Sequence, residues 1–390
     1  MPDAKTRLST RTAYFFLFST YAIISPYLPL YLKGRGFSPS RIGVLLGCLE
    51  LAGIAGPIFV ASVADRRTAY RAFLAGALLL TSLLFIPLQL STTFAVALVC
   101  MAGIGFAYRS TIPLLDTLTG RVLPDPSGQY GRIRVAGSIG FIVTSLFLQF
   151  SGLVSGDSPL SILVSAAATI ALAAAATVFL PSVRRTQAAG APRAEAPGGK
   201  NSGFDASFWA VIGIFFLARF GISAHYSFFS LFLRERFGIA NVSLVWAIGS
   251  AAEIATVIFS GRLIARFGIR RLLLVSVAAI SVRLAIYGLS SSLVVVCAVQ
   301  LLHALTFGIL HTASIAYING KIHGPRRGLG MAVYTAIGVG IPGFMASSLG
   351  GYLLEARGFT VLFFAYAAVP VLGIVALFAF GRRLLPQEQS

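Results

Sequence analysis

Twelve apolar stretches follow one another along this 390-residue chain, and each is long enough to cross a lipid bilayer. An α-helix needs about 20 apolar residues to span a hydrocarbon core of roughly 30 Å. Hydrophobic residues make up 57% of the chain and charged residues only 11%, which is too little charge to cover a water-soluble fold. The sequence therefore predicts an all-α, multi-pass membrane protein. The expected spans are 13–32, 42–63, 72–90, 94–118, 131–152, 160–181, 207–233, 242–262, 271–289, 292–319, 328–354 and 359–381.

Most Lys and Arg residues fall on alternate connections between these stretches. Because cytoplasmic loops are enriched in basic residues, the alternation predicts that both termini lie in the cytoplasm and that the host is the cell inner membrane. The connections predicted to lie outside carry few of the 31 basic residues: Lys33, Arg35, Arg41, Arg234, Arg236 and Arg357. The formal net charge of +19 is then explained by topology and by attraction to anionic membrane lipid. We expect no binding to nucleic acid.

The sequence carries no signal for an enzyme or a cofactor. Cys48, Cys100 and Cys297 lie at unrelated spacings inside predicted spans, so neither a disulfide framework nor a metal site is expected. A Walker sequence, a G-x-S-x-G elbow and an H-E-x-x-H motif are all missing from the chain, and no soluble segment is large enough to bind a nucleotide. The first apolar stretch has no small-residue cleavage site, so we expect a retained span.

One connection is long and differs in composition. Residues 183–205 are rich in Ala, Gly, Pro and charge, which is typical of a flexible linker. We therefore expect an N-terminal six-helix bundle at 12–181, a cytoplasmic linker at 182–206 and a C-terminal six-helix bundle at 207–384. The halves echo each other, because P-L-Y-L-K-G-R-G-F closes the first span and S-L-F-L-R-E-R-F closes the seventh.

A second echo follows spans 2 and 8. Residues 61–67 read A-S-V-A-D-R-R, and residues 261–271 read G-R-L-I-A-R-F-G-I-R-R. Both resemble the G-x-x-x-D-R-x-G-R-R signature of the major facilitator superfamily, whose two six-helix bundles rock about a site at the membrane midplane. The resemblance implies a cytoplasmic gate built from Asp65 and Arg66. The second copy has Ala265 in place of the acid.

Ionisable residues inside a membrane are costly, and they usually face a partner or a water-filled cavity. The predicted spans contain Glu50, Arg109, Asp116, Arg134, Arg219, His225, Glu253, Arg283, His303 and His311. From this set we expect the solute to contact Asp116, Arg134, Arg109, Arg219 and His225.

Several of these positions match a narrower group. The segments I-P-L-L-D at 112–116, Y-G-R-I-R at 130–134, S-V-R at 281–283 and Q-L-L-H at 300–303 resemble the lactose-permease and phenylpropionate-permease branch of the superfamily. That resemblance implies that Asp116 and Arg134 bind the solute, that Arg283 is the coupling arginine, and that His303 is the histidine of span 10. Lactose-permease-type symporters carry their proton on a glutamate one turn later, where this chain has Thr306.

Proton coupling must therefore use another acid. Glu253 is our first candidate, because it is a lone carboxylate among the apolar residues of span 8, and Arg283 on the adjoining span is expected to stabilise its ionised form in one conformation only. His303 is the second candidate, since an imidazole titrates near physiological pH. His311 lies eight residues further on, near the same helical face.

These features predict a secondary transporter that takes up a small organic solute with protons by alternating access. Within the spans, arginines outnumber acids, which favours an anionic solute such as an aromatic carboxylate. A sugar or nucleoside stays open, because Asp116 and Arg134 can both bond hydroxyl groups. A proton-driven exporter of amphipathic compounds and a non-transporting receptor on the same scaffold are the alternatives. The resemblance leans toward a monomer.

Overall fold

The computed structural model describes residues 4–123, 126–182, 203–323 and 326–384, and in these ranges the regular secondary structure is helical throughout. The predicted linker lies largely outside the described residues. The helices are α1 (Ala4–Gly34), α2 (Pro39–Arg67), α3 (Tyr70–Leu90), α4 (Phe94–Tyr108), α5 (Thr111–Val122), α6 (Pro126–Ser151), α7 (Pro159–Val178), α8 (Ala206–Phe237), α9 (Ser243–Leu289), α10 (Leu293–Val299), α11 (Leu310–Lys321), α12 (Arg327–Val333) and α13 (Ile341–Leu384).

Ten helical stretches in the described part of the chain are long and apolar enough to cross a membrane. Helices α9 and α13 contain 47 and 44 residues, which is too long for one crossing at about 1.5 Å per residue. Each bends at a glycine with positive φ, Gly268 at 73° in α9 and Gly358 at 77° in α13. Glycine adopts this conformation without a Cβ clash. The twelve predicted crossings therefore fit these helices, and the all-α membrane fold is confirmed.

The chain forms two compact units. The first unit contains Met1–Pro192 and Ser230–Ala247, and the second contains Arg193–Phe229 and Ile248–Ser390. The segment 230–247 belongs to the first unit because it bonds to the N-terminal helices there. The Tyr27 hydroxyl on α1 donates to Asn241 Oδ1 at 2.6 Å, and the backbone N–H of Gly156 donates to the carbonyl of Ala240 at 2.7 Å. The division of the chain at the linker stays a prediction.

Helix packing in the first unit depends on close backbone approach. Helix α1 packs on α6 and α7, and α2 packs along α4. A Cβ at Gly56 of α2 would lie 2.0 Å from the carbonyl oxygen of Phe106, and one at Gly105 of α4 would lie 2.3 Å from that of Leu49. Glycines at both positions let the two backbones touch, as small residues do in membrane helix pairs.

In the second unit, the tenth predicted span is not a regular α-helix. After α10 the chain makes a 3₁₀ turn at Gln300–Leu302 and a π-helix at Ala304–Ile309 before α11 begins. A second π-helix, Tyr334–Gly340, joins α12 to α13. Segments of this kind are rare and are frequently found at functional sites. The first π-helix begins directly after His303 and contains Thr306.

Candidate functional site

Asp116 and Arg134 meet in the first unit, as predicted. Asp116 on α5 accepts a hydrogen bond from the Tyr14 hydroxyl on α1 at 2.6 Å. Arg134 Nε on α6 lies 3.9 Å from Asp116 Oδ1, which is an ion pair beyond hydrogen-bond distance. The guanidinium carbon of Arg134 sits 4.3 Å from the centre of the Phe18 ring. Both members of the pair are about one third exposed, at 30% for Arg134 and 32% for Asp116.

Arg109, which we expected to contact the solute, forms an ion pair with Glu50. Arg109 follows the last residue of α4, and Glu50 lies near the middle of α2. Gly53 makes room for the arginine, because a Cβ there would lie 2.8 Å from Arg109 Cγ. The sequence indicates no role for Glu50. Its position in an apolar span was the only available signal, and that signal does not identify a partner.

An aromatic row lies between these two charged pairs. It consists of Phe18 and Tyr21 on α1 and Tyr108 on α4. The rings of Tyr21 and Tyr108 stack with centroids 4.4 Å apart, and those of Phe18 and Tyr21 are 5.6 Å apart. The phenol of Tyr21 is within electrostatic range of Glu50, Arg109 and Arg134. Sequence reasoning missed this row, although the three-residue spacing of Phe18 and Tyr21 places them on one helical face.

Arg283 is fully buried in the second unit, with none of its surface exposed. Its Nε donates to the Tyr287 hydroxyl at 2.8 Å, its Nη1 to Thr306 Oγ1 at 2.8 Å, and its Nη2 to Gln300 Oε1 at 2.6 Å. Within the described residues no carboxylate forms an ion pair with it. The buried positive charge is therefore balanced by hydrogen-bond acceptors that carry no full charge.

Arg283 also determines where two histidines carry their protons. Its Nη1 lies 3.2 Å from His303 Nδ1, and its Nη2 lies 3.2 Å from His225 Nε2. Because a guanidinium only donates, both ring nitrogens must accept. His303 then carries its proton on Nε2, which faces Glu253 Oε2 at 3.3 Å. Arg283, His303 and Glu253 thus form one chain of contacts, and His225 lies beside Arg283. The predicted role of His225 in solute binding stays a prediction.

The other two predicted residues of the second unit, His311 and Arg219, contact aromatic rings. His311 stacks on Phe307 at 5.5 Å, and Phe307 stacks on His303 at 5.4 Å. A phenyl ring carries no exchangeable proton, so Phe307 separates the two histidines. The guanidinium carbon of Arg219 on α8 lies 4.9 Å from the ring centre of Tyr226. The predicted role of Arg219 in solute binding stays a prediction.

The predicted gate has a cation that the sequence did not reveal. Asp65, at the end of α2, accepts a hydrogen bond from Arg121 Nη2 of α5 at 2.9 Å and another from the Tyr70 hydroxyl. The Arg121 guanidinium lies 5.0 Å from the Tyr70 ring centre. The neighbouring Arg66 is exposed, and it is not among the ion-pair partners of Asp65 in the described part of the chain.

Charged pairs within the apolar helices of a multi-pass fold are typical of membrane transport proteins, in which they mark solute and proton pathways. Residues 7–365 match the model of the MFS_1 like family, and the chain belongs to that family. It is 27% identical over 373 residues to the probable 3-phenylpropionic acid transporter of Escherichia coli (strain K12), covering 92% of this chain and 94% of that protein. It is 24% identical over 373 residues to the maltose permease of Geobacillus stearothermophilus, covering 95% and 93%.

Solved structures give the same fold. A mutant of the nucleoside transporter NupG superposes with a TM-score of 0.83 at 18% identity, covering 96% of this chain and 99% of that one. The resemblance to the major facilitator superfamily is therefore confirmed. The family consists of transporters, so the expectation that the protein is not an enzyme is confirmed as well, and a small-molecule solute is implied.

Proposed function

We propose that this protein imports a small aromatic carboxylate together with protons, by alternating access, as a monomer in the inner membrane with both termini in the cytoplasm. The observation that carries the proposal is the position of the Arg134 guanidinium. It is partly exposed, lies beyond hydrogen-bond distance from Asp116, and covers the face of Phe18. The similarity to the 3-phenylpropionic acid transporter supports the choice of solute.

The chemistry of the pair suits an aryl carboxylate. An arginine binds a carboxylate through two parallel N–H donors. Asp116 also accepts a hydrogen bond from the Tyr14 hydroxyl at 2.6 Å, so a solute carboxylate can replace the longer ion pair to Arg134 without leaving Asp116 unpaired. The aryl group would then lie along Phe18 and Tyr21, since aromatic rings add an attraction of about 0.5–1.5 kcal/mol beyond their burial.

The contact chain of the second unit provides a route for the proton. While Arg283 donates to Nδ1 of His303, the lone pair of that nitrogen is occupied and cannot take a proton. When the arginine moves away, Nδ1 can accept one, and the imidazolium pairs with the Glu253 carboxylate. Movement of Arg283 would thus decide whether the His303–Glu253 pair holds the proton. This agrees with the expectation from the sequence that Arg283 stabilises ionised Glu253 in one conformation only.

Replacing Arg134 tests the solute site. Arg134→Ala should abolish binding of 3-phenylpropionate as well as its transport, because the carboxylate loses its donor fork. Arg132→Ala removes an exposed arginine two residues earlier on α6 and serves as the matched control. Retained affinity in Arg134→Ala, measured by calorimetric titration of purified protein, would rule out this site.

Replacing Glu253 tests the coupling. Glu253→Gln should preserve exchange of labelled solute between equal concentrations in proteoliposomes, because that exchange needs no net proton movement. Accumulation driven by an imposed pH gradient should fall well below that of the unmodified protein. Normal accumulation by this variant would transfer the coupling role to His303 or to another group.

A neutral polyol is the second candidate for the solute. The maltose permease is a relative, and the Asp116–Arg134 pair offers both an acceptor and donors to hydroxyl groups. Competition separates the candidates: excess maltose or uridine should leave 3-phenylpropionate binding unchanged. A protonophore that stops inward accumulation in energised vesicles would distinguish uptake from proton-driven export.

A further inference from the structure

The first unit contains a second guanidinium beside the aromatic row, and this one is already bound to a carboxylate. Arg109 pairs with Glu50, and the side chains are 37% and 16% exposed. Arg109 lies in the middle of the apolar stretch Phe94–Val122, and Tyr108 beside it stacks on Tyr21. A solute carboxylate approaching Arg109 along this row would meet Glu50 as a competitor.

We propose that Glu50 is a second proton-binding site, whose protonation releases Arg109 as a second guanidinium donor to the solute carboxylate that Arg134 binds. The proposal rests on the proposed function and extends it, because it assigns a proton to the half of the molecule that carries the solute site. A neutral glutamic acid side chain holds the guanidinium far more weakly than a carboxylate does. The solute oxygens then take the place of the Glu50 oxygens.

The charges balance only with the proton. Before binding, the Glu50 carboxylate and the Arg109 guanidinium cancel. After binding, the solute carboxylate and Arg109 cancel, and the proton has moved from water to a Glu50 oxygen. Without it, two carboxylates would share one guanidinium in a partly desolvated position, which is strongly unfavourable. One solute anion therefore binds together with one proton.

Among the groups around the Glu50–Arg109 pair, Glu50 is the acid that can exchange its place on Arg109 with the solute. Helix α1 contributes Tyr21, α4 contributes Tyr108, and α6 contributes Arg134. The Tyr108 hydroxyl is engaged with Thr20 Oγ1 at 2.8 Å. On α5 the carboxylate is Asp116, which is bound by Tyr14 and Arg134 as described above.

The test is the pH dependence of 3-phenylpropionate binding to the purified full-length protein between pH 5.5 and 8.5. In the unmodified protein, the dissociation constant should rise toward about tenfold per pH unit once Glu50 is ionised, because one proton is linked to each ligand. Glu50→Gln imitates the protonated acid, so its affinity should be high and constant over this range. Glu50→Asp should restore the slope. Glu235→Gln, which removes an exposed carboxylate bound to Lys33, should keep it.

Two results would overturn the inference while leaving the proposed function intact: an unchanged slope in Glu50→Gln, or loss of binding in a Glu50→Gln protein that melts at the normal temperature. Proton uptake can be measured on the unmodified protein alone. In weak buffer, at a pH at which Glu50 is ionised, the protein should take up about one proton for each ligand that binds. No uptake would also overturn it. Failure of the unmodified protein to bind 3-phenylpropionate at any pH would instead overturn the proposed solute, and this inference with it.

Discussion

The buried charge of Arg283 shows how single residues determine the chemistry of the second unit. Tyr287, Gln300 and Thr306 together satisfy its three nitrogens. A buried guanidinium is tolerated only when its donors are satisfied, so each acceptor contributes to stability as well as to position. Thr306 is the acceptor at the position where the resemblance to lactose-permease-type symporters places their proton-carrying glutamate.

Thr306→Val should lower the free energy of unfolding by about 1–3 kcal/mol, because it leaves one buried N–H of Arg283 without an acceptor. Thr306→Ser retains the hydroxyl and should cost less than half as much. Unfolding midpoints in detergent, monitored by circular dichroism, measure the difference. Equal stability of the Val and Ser variants would show that the hydroxyl is not needed.

Asp205 gives a prediction on pH. It accepts hydrogen bonds from the Phe208 backbone N–H at 2.9 Å and from Lys321 Nζ at 2.7 Å, and the bond to Lys321 is the main cause that lowers its pKa from 3.8 to about 2. The stabilisation is present above pH 3.8 and is lost as pH falls toward 2. Asp205→Asn should therefore reduce the melting temperature at pH 6, with a difference that shrinks below pH 4. Because the pair is exposed, the effect stays below about 1 kcal/mol, and a difference that grows on acidification would contradict the assignment.

At the scale of elements, the contact between α2 and α4 positions the Glu50–Arg109 pair. The backbones approach at Gly56 and Gly105, where any side chain would overlap a carbonyl group of the facing helix. Gly53, one turn before Gly56, leaves space for the Arg109 side chain. Separation of these two helices would therefore disturb packing and the ion pair together.

Gly56→Ala should destabilise the protein by about 1–3 kcal/mol, since a Cβ placed 2.0 Å from the Phe106 carbonyl oxygen forces the helices apart. Gly76→Ala on α3 meets nothing within 4 Å and should be neutral or slightly stabilising, because alanine favours a helix. Thermal unfolding of both variants provides the comparison. The same loss in both variants would show that the close contact at Gly56 is not the cause.

At the scale of the whole molecule, the two proposals place one proton site in each unit. Glu50 belongs to the first unit and Glu253 to the second. Both protons would have to move with each solute anion for the two sites to be coupled to the same transport cycle. The charge carried per cycle then follows from simple addition.

Two protons moving with one carboxylate transfer one net positive charge inward. Uptake of 3-phenylpropionate into proteoliposomes should therefore increase when a valinomycin-induced potassium gradient makes the interior negative, at equal pH on both sides. In Glu253→Gln only the electroneutral Glu50 step remains, so the dependence on potential should disappear. Uptake by the unmodified protein that ignores the potential would limit the stoichiometry to one proton.

The sequence predicted much of the candidate site, but not its complete pairing. The resemblance to the permease branch placed Asp116 and Arg134 at one solute site and named Arg283 and His303 as coupling residues, and the structure brings the two side chains of each pair together. The pairs Glu50–Arg109 and Asp65–Arg121 and the contact of His225 with Arg283 did not follow. Each of these joins helices far apart in the chain, and a hydropathy pattern contains no information about which helices become neighbours.

By itself, the sequence determined the membrane class, the helical spans and the family, because hydrophobic length and local motifs are written directly in the order of residues. Only the tertiary structure decided which charges meet, because that depends on the rotation of each helix about its axis and on close contacts such as those at Gly56 and Gly105. Those contacts bring Glu50 of α2 to Arg109 of α4. In a low-dielectric interior, an acid and the arginine beside it attract each other strongly. The pairs that form therefore determine which acids can release an arginine when they take up a proton.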